Sequence, residues 1–199
     1  MGNSNGGGPV QISVLGPVDI ARAAPRGRAK TLVSASTWLA LHPAAAGCQM
    51  DRALQMSPES RMSTLSRIRA WLGPENLPAS SDGRYRLNAV TDWAAFQAFV
   101  CTPAGRLRPR CEDHELWAAL QLVQGEPLAD IDAVWADGVR LQMSLLVADV
   151  ALELATRALR CGFSRQANLA VGHGLLAFPG HPELLELAAA SRVFVAGAA

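Results

Sequence analysis

The side chains best suited to bind a polyanion lie in one predicted helix, residues 60–72. At 100° per residue, its apolar side chains fall on one side and its polar ones on the other. The apolar side, which we expect to pack on a core, holds Met62, Leu65, Ile68 and Leu72. The opposite side holds Ser63, Thr64, Arg67 and Trp71, with Ser66 at its edge. Arginine can form two hydrogen bonds with the edge of a guanine, and hydroxyl groups can form hydrogen bonds with bases or phosphates. This side is therefore typical of a helix that lies in the DNA major groove.

Further arginines extend the same basic surface. Arg61 and Arg69 lie towards the flanks of the helix, where they suit phosphates. Arg84 and Arg86 fall in a predicted hairpin, where a contact to the DNA backbone or minor groove is expected. The alternative is a protein-binding surface, because Trp71 places a large apolar ring among these polar side chains. Under that alternative Trp71 contacts the partner, and affinity for DNA is negligible.

A second cluster of reactive residue types, residues 111–114, has the sequence Cys-Glu-Asp-His. Nucleophilic catalysis needs a base that the fold holds beside the thiol, and zinc needs about four ligands in tetrahedral geometry. The cluster instead suits the start of a helix, where acidic residues are favoured. No phosphate-binding loop, nucleophile elbow or dinucleotide fingerprint is present. We therefore expect no catalytic residue, no metal, no cofactor and no small-molecule substrate.

The charge distribution divides the chain into two parts. Residues 10–91 contain 10 basic and 5 acidic residues, whereas residues 92–199 contain 8 basic and 12 acidic residues. The net charge of +1 excludes a histone-like cation, and the opposite signs of the halves indicate two modules with different partners.

The composition indicates a cytoplasmic protein. Four scattered cysteines form no Cys-x-x-Cys pair, so we expect them to be reduced. No apolar run reaches the roughly 18 residues of a membrane helix. Residues 1–9 are polar and glycine-rich, which is typical of a linker or tag, and the chain would then be a piece of a longer protein.

Two domains follow from the predicted elements of this mainly α chain with its small β component. Residues 10–90 are predicted to form strand, strand, helix, short helix, helix and hairpin, with a loop at 21–29. The strands are 11–15 and 18–20, the helices are 30–41, 50–56 and 58–72, and the hairpin joins 77–79 to 84–87. This order is that of a helix-turn-helix followed by a two-stranded wing.

Residues 91–195 are predicted to be entirely helical. The predicted helices are 93–100, 112–123, 135–161, 165–177 and 182–193, with caps at Thr91 or Asp92 and at Ser164. Trp135 is expected to anchor the long helix on the 112–123 helix. The long helix is apolar nearly all round and must be covered on several sides. Paired helices joined by short turns resemble tetratricopeptide-type stacking.

Six stretches, in order, resemble the bacterial transcriptional activator domain (BTAD) family. They are Ile12 to Val18, Leu32 to Pro43, Ser63 to Gly73, Asp82 to Leu87, Asp92 to Phe99 and Leu120 to Asp130. They resemble, respectively, its opening strand, first helix, recognition helix, wing, the start of its helical domain, and its "A-L-x-L-W-x-G-x-P-L-A" string. The resemblance covers residues 10–190. The BTAD family includes regulators of the Streptomyces antibiotic regulatory protein type and large actinobacterial LysM proteins. Residues 69–73 and 91–93 look more like the corresponding residues of the LysM proteins.

The resemblance implies an OmpR-type winged helix-turn-helix joined to an all-α, tetratricopeptide-like domain, without catalytic activity. It implies a transcription regulator whose winged helix contacts DNA and whose helical domain binds a protein partner or a second copy. The alternative is a module that does not bind DNA, at the C-terminus of a larger and membrane-attached protein.

Overall fold

The computed structural model describes residues 8–21, 29–80 and 82–196 of the 199-residue chain. It is mainly helical, with 58% helix and 9% strand, which confirms the expected mainly α composition with a small β component. The strands are β1 (Val10–Ser13), β2 (Asp19–Ile20), β3 (Ala45–Ala46), β4 (Arg84–Tyr85) and β5 (Ala89–Thr91). The helices are α1 (Ala29–Leu41), α2 (Gly47–Ala53), α3 (Pro58–Leu72), α4 (Asp92–Val100), α5 (Asp113–Leu120), α6 (Val134–Arg160), α7 (Ser164–Ala177) and α8 (Pro182–Ala196).

The chain divides into two compact units. Unit 1 takes the chain up to Ser13, then Val18–Thr91 and Ile131–Trp135. Unit 2 takes Val14–Pro17, Asp92–Asp130 and the chain from Ala136 onward. The two long stretches meet between Thr91 and Asp92, and two short segments lie in the other unit. Most of the predicted linker at 1–9 and of the predicted loop at 21–29 falls outside the described residues.

Unit 1 is built on a three-stranded sheet with the order β2-β1-β5. β1 pairs antiparallel with β2 and parallel with β5, with Val10 opposite Ala89 and Ile12 opposite both Ile20 and Thr91. Alternate residues of β1 are buried, as expected of a strand with one face on a core. α1 and α3 contact each other. Their buried side chains include Leu32, Trp38, Leu39, Leu65, Ile68 and Leu72.

A second, two-stranded sheet corrects the predicted hairpin. β4 pairs antiparallel with β3, so that Ala45 lies opposite Tyr85 and Ala46 opposite Arg84. Residues 77–79 form no strand and do not pair with residues 84–87. The Asp82 carboxylate accepts the Arg84 backbone N–H at 3.0 Å, just before β4. Tyr85 is buried, and its hydroxyl donates to the Met62 sulfur at 3.8 Å.

Unit 2 is organised around Asp92 and the long helix α6. The Asp92 carboxylate accepts the N–H groups of Val14, Leu15 and Trp93 at 2.8–3.1 Å. The segment Val14–Pro17 also accepts three N–H groups through its carbonyls, from Gln124 at 2.7 Å, Leu128 at 2.9 Å and Ala129 at 3.4 Å. α6 buries a face that includes Met143, Val147, Val150, Ala151 and Leu154.

Several predicted boundaries need correction. α2 begins three residues earlier than expected, and α5 ends at Leu120 rather than at residue 123. Ser164 is the first residue of α7, whose N-cap is Phe163. Trp135 does not anchor α6 on α5: its indole Nε1–H donates to the Ser34 Oγ of α1 at 3.2 Å. Within the described part of the chain, no helix is long and apolar enough to cross a membrane.

Candidate nucleic-acid interface

α3 is a well-delimited helix because both of its ends carry suitable residues. Ser57 is the N-cap and accepts the Ser60 backbone N–H at 3.2 Å, and Pro58 occupies the first helical position, as predicted. Gly73 ends the helix with a φ of 100°, a conformation that favours glycine. The predicted helix start at Ser57 and its end at Leu72 are therefore confirmed.

Three of the residues expected to contact DNA lie exposed on α3: Ser63, Ser66 and Arg67. Met62, expected to pack on the core, is instead 53% exposed, and Thr64, expected to face outward, is only 9% exposed. α3 contacts both α1 and α2, so more of its circumference is covered than a single apolar side predicts. Leu65, Ile68 and Leu72 are fully buried, as expected.

Arg61 is placed differently from the expectation that it holds a phosphate. Its guanidinium forms an ion pair with Asp51 of α2, and its side chain is only 16% exposed. A Cβ at Gly47 would lie 2.9 Å from the Arg61 Cζ, so α2 approaches this arginine closely. Arg61 therefore joins α2 to α3 inside unit 1 and does not belong to the outer surface.

Three other arginines of the expected contact set, Arg69, Arg84 and Arg86, also make internal hydrogen bonds. Arg69 donates to the carbonyls of Leu77 at 2.7 Å and Pro78 at 3.3 Å. Arg84 Nη1 donates to the Ala44 carbonyl at 3.1 Å. Arg86 forms an ion pair with Asp82 at 2.9 Å, and this hydrogen bond, with the Arg84 N–H, lowers the pKa of Asp82 to about 2. Arg84 and Arg86 stay exposed while bonded in this way.

Arg67 differs from these arginines. Its guanidinium makes no hydrogen bond or ion pair with any described residue, and it borders a pocket of about 210 Å³. Hydroxyl-bearing side chains from two helices line the same pocket: Thr31 of α1, and Ser60, Ser63 and Thr64 of α3. One cation and four hydroxyls form a group of donors suited to the oxygens of a phosphate.

Sequence reasoning missed Thr31 and Ser60 in this pocket. Thr31 lies in the first turn of α1, about thirty positions before α3 in the chain, and nothing in its local pattern indicates the contact. Ser60 is recognisable only as part of a helix start. Trp71, the expected partner contact, is half-buried rather than exposed.

Comparisons with known proteins add no family assignment. Neither the comparison with protein-family models nor the comparison with curated proteins gives a match.

Residues 111–114 form a helix start, as the sequence indicated. The Glu112 backbone N–H donates to the Glu115 carboxylate at 3.0 Å, and Arg157 of α6 donates to the Cys111 carbonyl and to Asp113 at 2.6 and 2.9 Å. The Cys111 thiol is buried, and this burial raises its pKa. Across the ranges that the structure describes, no group of three or more His, Cys, Asp or Glu side chains is arranged to hold a metal.

Proposed function

We propose that unit 1 binds duplex DNA through α3, in the manner of a winged helix, as the DNA-contacting part of a transcription regulator. The observation that carries the proposal is the Arg67 guanidinium, which bonds to no described residue and lies beside the hydroxyl-lined pocket on the exposed side of α3. The element order of unit 1 and the resemblance of residues 10–90 to the winged helix of BTAD proteins support it. The function would place the chain in the cytoplasm, and it assigns no catalytic role.

Arg67 would contact a base or a phosphate without breaking a bond to a described residue, whereas the other four arginines of the predicted contact set already hold internal acceptors. Ser63 and Ser66 lie exposed on the same helix and supply hydroxyls for base edges or phosphates. Arg84 and Arg86 remain exposed and would add phosphate contacts outside α3. The proposed contact set is therefore smaller than the sequence predicted, with Arg67 at its centre.

For unit 2 we propose a tetratricopeptide-like block that binds a protein partner or a second copy. Contacts between α4 and α5, between α5 and α7, and between α7 and α8 are consistent with stacked helical pairs. Exposed leucines support the interaction role. They are Leu141 and Leu145 of α6, and Leu169 and Leu176 of α7.

Binding to random-sequence duplex DNA at two salt concentrations tests the proposal for unit 1. Arg67→Gln is expected to weaken binding about tenfold, because a hydrogen bond to a charged phosphate contributes about 1.5–3 kcal/mol. It should also lower the salt slope by about one. Arg160→Gln is the matched control, since Arg160 is an exposed arginine of α6. Equal effects of the two substitutions on affinity and slope would contradict the proposal.

The second candidate is a protein-interaction module that does not bind DNA. It is favoured by Met62, which is 53% exposed on α3, and by the internal hydrogen bonds of Arg61 and Arg69. Absence of any DNA binding by the wild type at low salt would select this candidate.

A further inference from the structure

Unit 1 contains a larger pocket that does not include Arg67. It measures about 700 Å³, a size typical of sites for small organic ligands. Its walls come from the last turn of α1 with the residues that follow it, from one side of α2, and from Trp135. The proposed DNA contact at Arg67 does not use this pocket. The sequence predicts no small-molecule substrate, so it does not explain the pocket either.

The aromatic part of the pocket is held in place by hydrogen bonds. The rings of Trp38 and His42 are stacked, with centroids 4.6 Å apart and planes at 18°. His42 Nδ1 lies 2.8 Å from the Trp38 carbonyl. The Trp135 indole N–H donates to Ser34 at 3.2 Å. The His42 imidazole and the Trp135 indole are half-buried and held in fixed orientations, and the buried Trp38 ring supports His42 from below. They form a preorganised surface for a flat ring system.

The polar part of the pocket is cationic. Arg52 of α2 and Arg84 of β4 line it, and no Asp or Glu is among its lining residues. Arg52 is exposed and makes no hydrogen bond or ion pair with the described residues. Arg84 is fixed by the Ala44 carbonyl through Nη1, and a guanidinium has four further N–H donors. The pocket therefore offers two unneutralised positive charges beside an aromatic wall.

The backbone at the rim is strained. Ala44 has a φ of 61°, in the left-handed region that residues other than glycine rarely adopt. Its carbonyl is the one that holds Arg84. Strained residues of this kind persist where the surrounding structure determines them, and they concentrate at ligand-binding positions.

We propose that this pocket binds a flat, multi-ring aromatic carboxylate. The rings would lie against His42 and Trp135, and the carboxylate would accept hydrogen bonds from Arg52 and Arg84. A forked guanidinium matches the two oxygens of a carboxylate, and an aromatic wall discriminates against aliphatic acids of similar size.

Equilibrium dialysis of the full chain against pyrene-1-carboxylate and its neutral analogue 1-pyrenemethanol tests the proposal. The carboxylate is expected to bind with a dissociation constant of about 0.1 mM or tighter, which is ordinary for a ligand of this size. It should bind about tenfold more tightly than the alcohol. Arg52→Gln should reduce this preference about fivefold or more, whereas Arg160→Gln should leave it unchanged. Arg52 is exposed and bonds to no other residue that the structure describes, so its substitution is compatible with folding.

Trp135→Leu provides an independent variant, and it should weaken binding of both probes severalfold. Absence of binding, equal affinity for the two probes, or equal effects of Arg52→Gln and Arg160→Gln would each overturn the proposal. Arg67→Gln separates this site from the proposed DNA contact. It should lower DNA affinity and leave pyrene-1-carboxylate binding intact, so failure of one proposal is distinguishable from failure of the other.

Discussion

At the scale of single residues, the arginines of unit 1 differ in what their guanidinium groups already bind. Arg61 is paired with Asp51, and Arg69 holds two backbone carbonyls beyond the end of α3. Arg52 and Arg67 are exposed and make no such bond within the described residues. The sequence showed which residues are arginines and which side of α3 carries Arg67. It did not show their acceptors, because carbonyls and a carboxylate brought close by folding leave no local pattern.

The ion pair between Asp82 and Arg86 predicts a measurable pKa. Asp82 has a pKa of about 2, lowered from 3.8 mainly by its hydrogen bond with Arg86. Because the folded-state pKa is the lower one, the stabilisation by this carboxylate is complete above pH 3.8 and is lost as pH falls towards 2. Arg86→Gln should raise the pKa towards 3.8, as followed by an NMR titration of the Asp82 carboxyl carbon.

Arg67→Gln is the control for this titration, because Arg67 does not bond to Asp82. It should leave the Asp82 midpoint at about 2. A wild-type midpoint near 3.8 would show that the ion pair does not persist in solution.

At the scale of elements, the helices and the strands β1, β2 and β4 were predictable from the sequence, whereas β3 and β5 were not. Ser57, Pro58 and Gly73 mark the ends of α3 by residue type alone. β3, in contrast, is two alanines long, which is too short to show the alternation that identifies a strand. The sequence pattern therefore pairs β4 with the nearest extended segment in the chain, whereas the true partner lies about forty residues away.

α7 supplies a test of helix packing in unit 2. A Cβ at Gly174 would lie 2.7 Å from both the Ala151 Cβ of α6 and the Leu184 Cδ1 of α8. Gly174→Ala should therefore lower the free energy of unfolding by about 1–3 kcal/mol, as overpacked cores do. Urea unfolding measures the change.

Gly172 lies two residues away in the same helix, and a Cβ there would meet nothing within 4 Å. Gly172→Ala should raise the free energy of unfolding by up to about 1 kcal/mol, through helix propensity alone. Destabilisation by both substitutions, or by neither, would be inconsistent with this packing.

At the scale of the whole molecule, the division into units does not follow a single cut in the chain. Val14–Pro17 belongs to unit 2 although it lies between β1 and β2, and Ile131–Trp135 belongs to unit 1 although α6 continues into unit 2. The sequence pattern placed a boundary at residues 90/91. It could not assign the short segments, because four or five residues carry too little periodicity to indicate their neighbours.

A fragment of residues 92–199 is expected to fold poorly for this reason. It lacks the carbonyls that accept the N–H groups of Gln124 and Leu128, and the N–H groups that Asp92 accepts. Hydrogen bonds of this kind contribute about 0.5–1.5 kcal/mol each, and about 1–3 kcal/mol where a partner is left buried and unpaired, against a total stability of about 5–15 kcal/mol for a typical domain. Calorimetry should show no cooperative transition for the fragment, or one at a much lower temperature than in the full chain.

A synthetic peptide of residues 10–20 should restore part of the fragment's stability, because it returns the missing backbone partners. Cooperative unfolding of the fragment alone, at the temperature of the full chain, would show that Val14–Pro17 is dispensable to unit 2.

The position of Val14–Pro17 also bears on the order of events during synthesis. Val14 and Leu15 leave the ribosome about a hundred residues before Gln124 and Leu128, with which they are hydrogen-bonded in the finished protein. At ordinary elongation rates that interval is roughly ten seconds. During it, two side chains that end fully buried face the solvent of the nascent chain. The backbone bonds of this first-made part of unit 2 thus wait for residues that are synthesised much later, and the segment offers nascent-chain chaperones an early binding site.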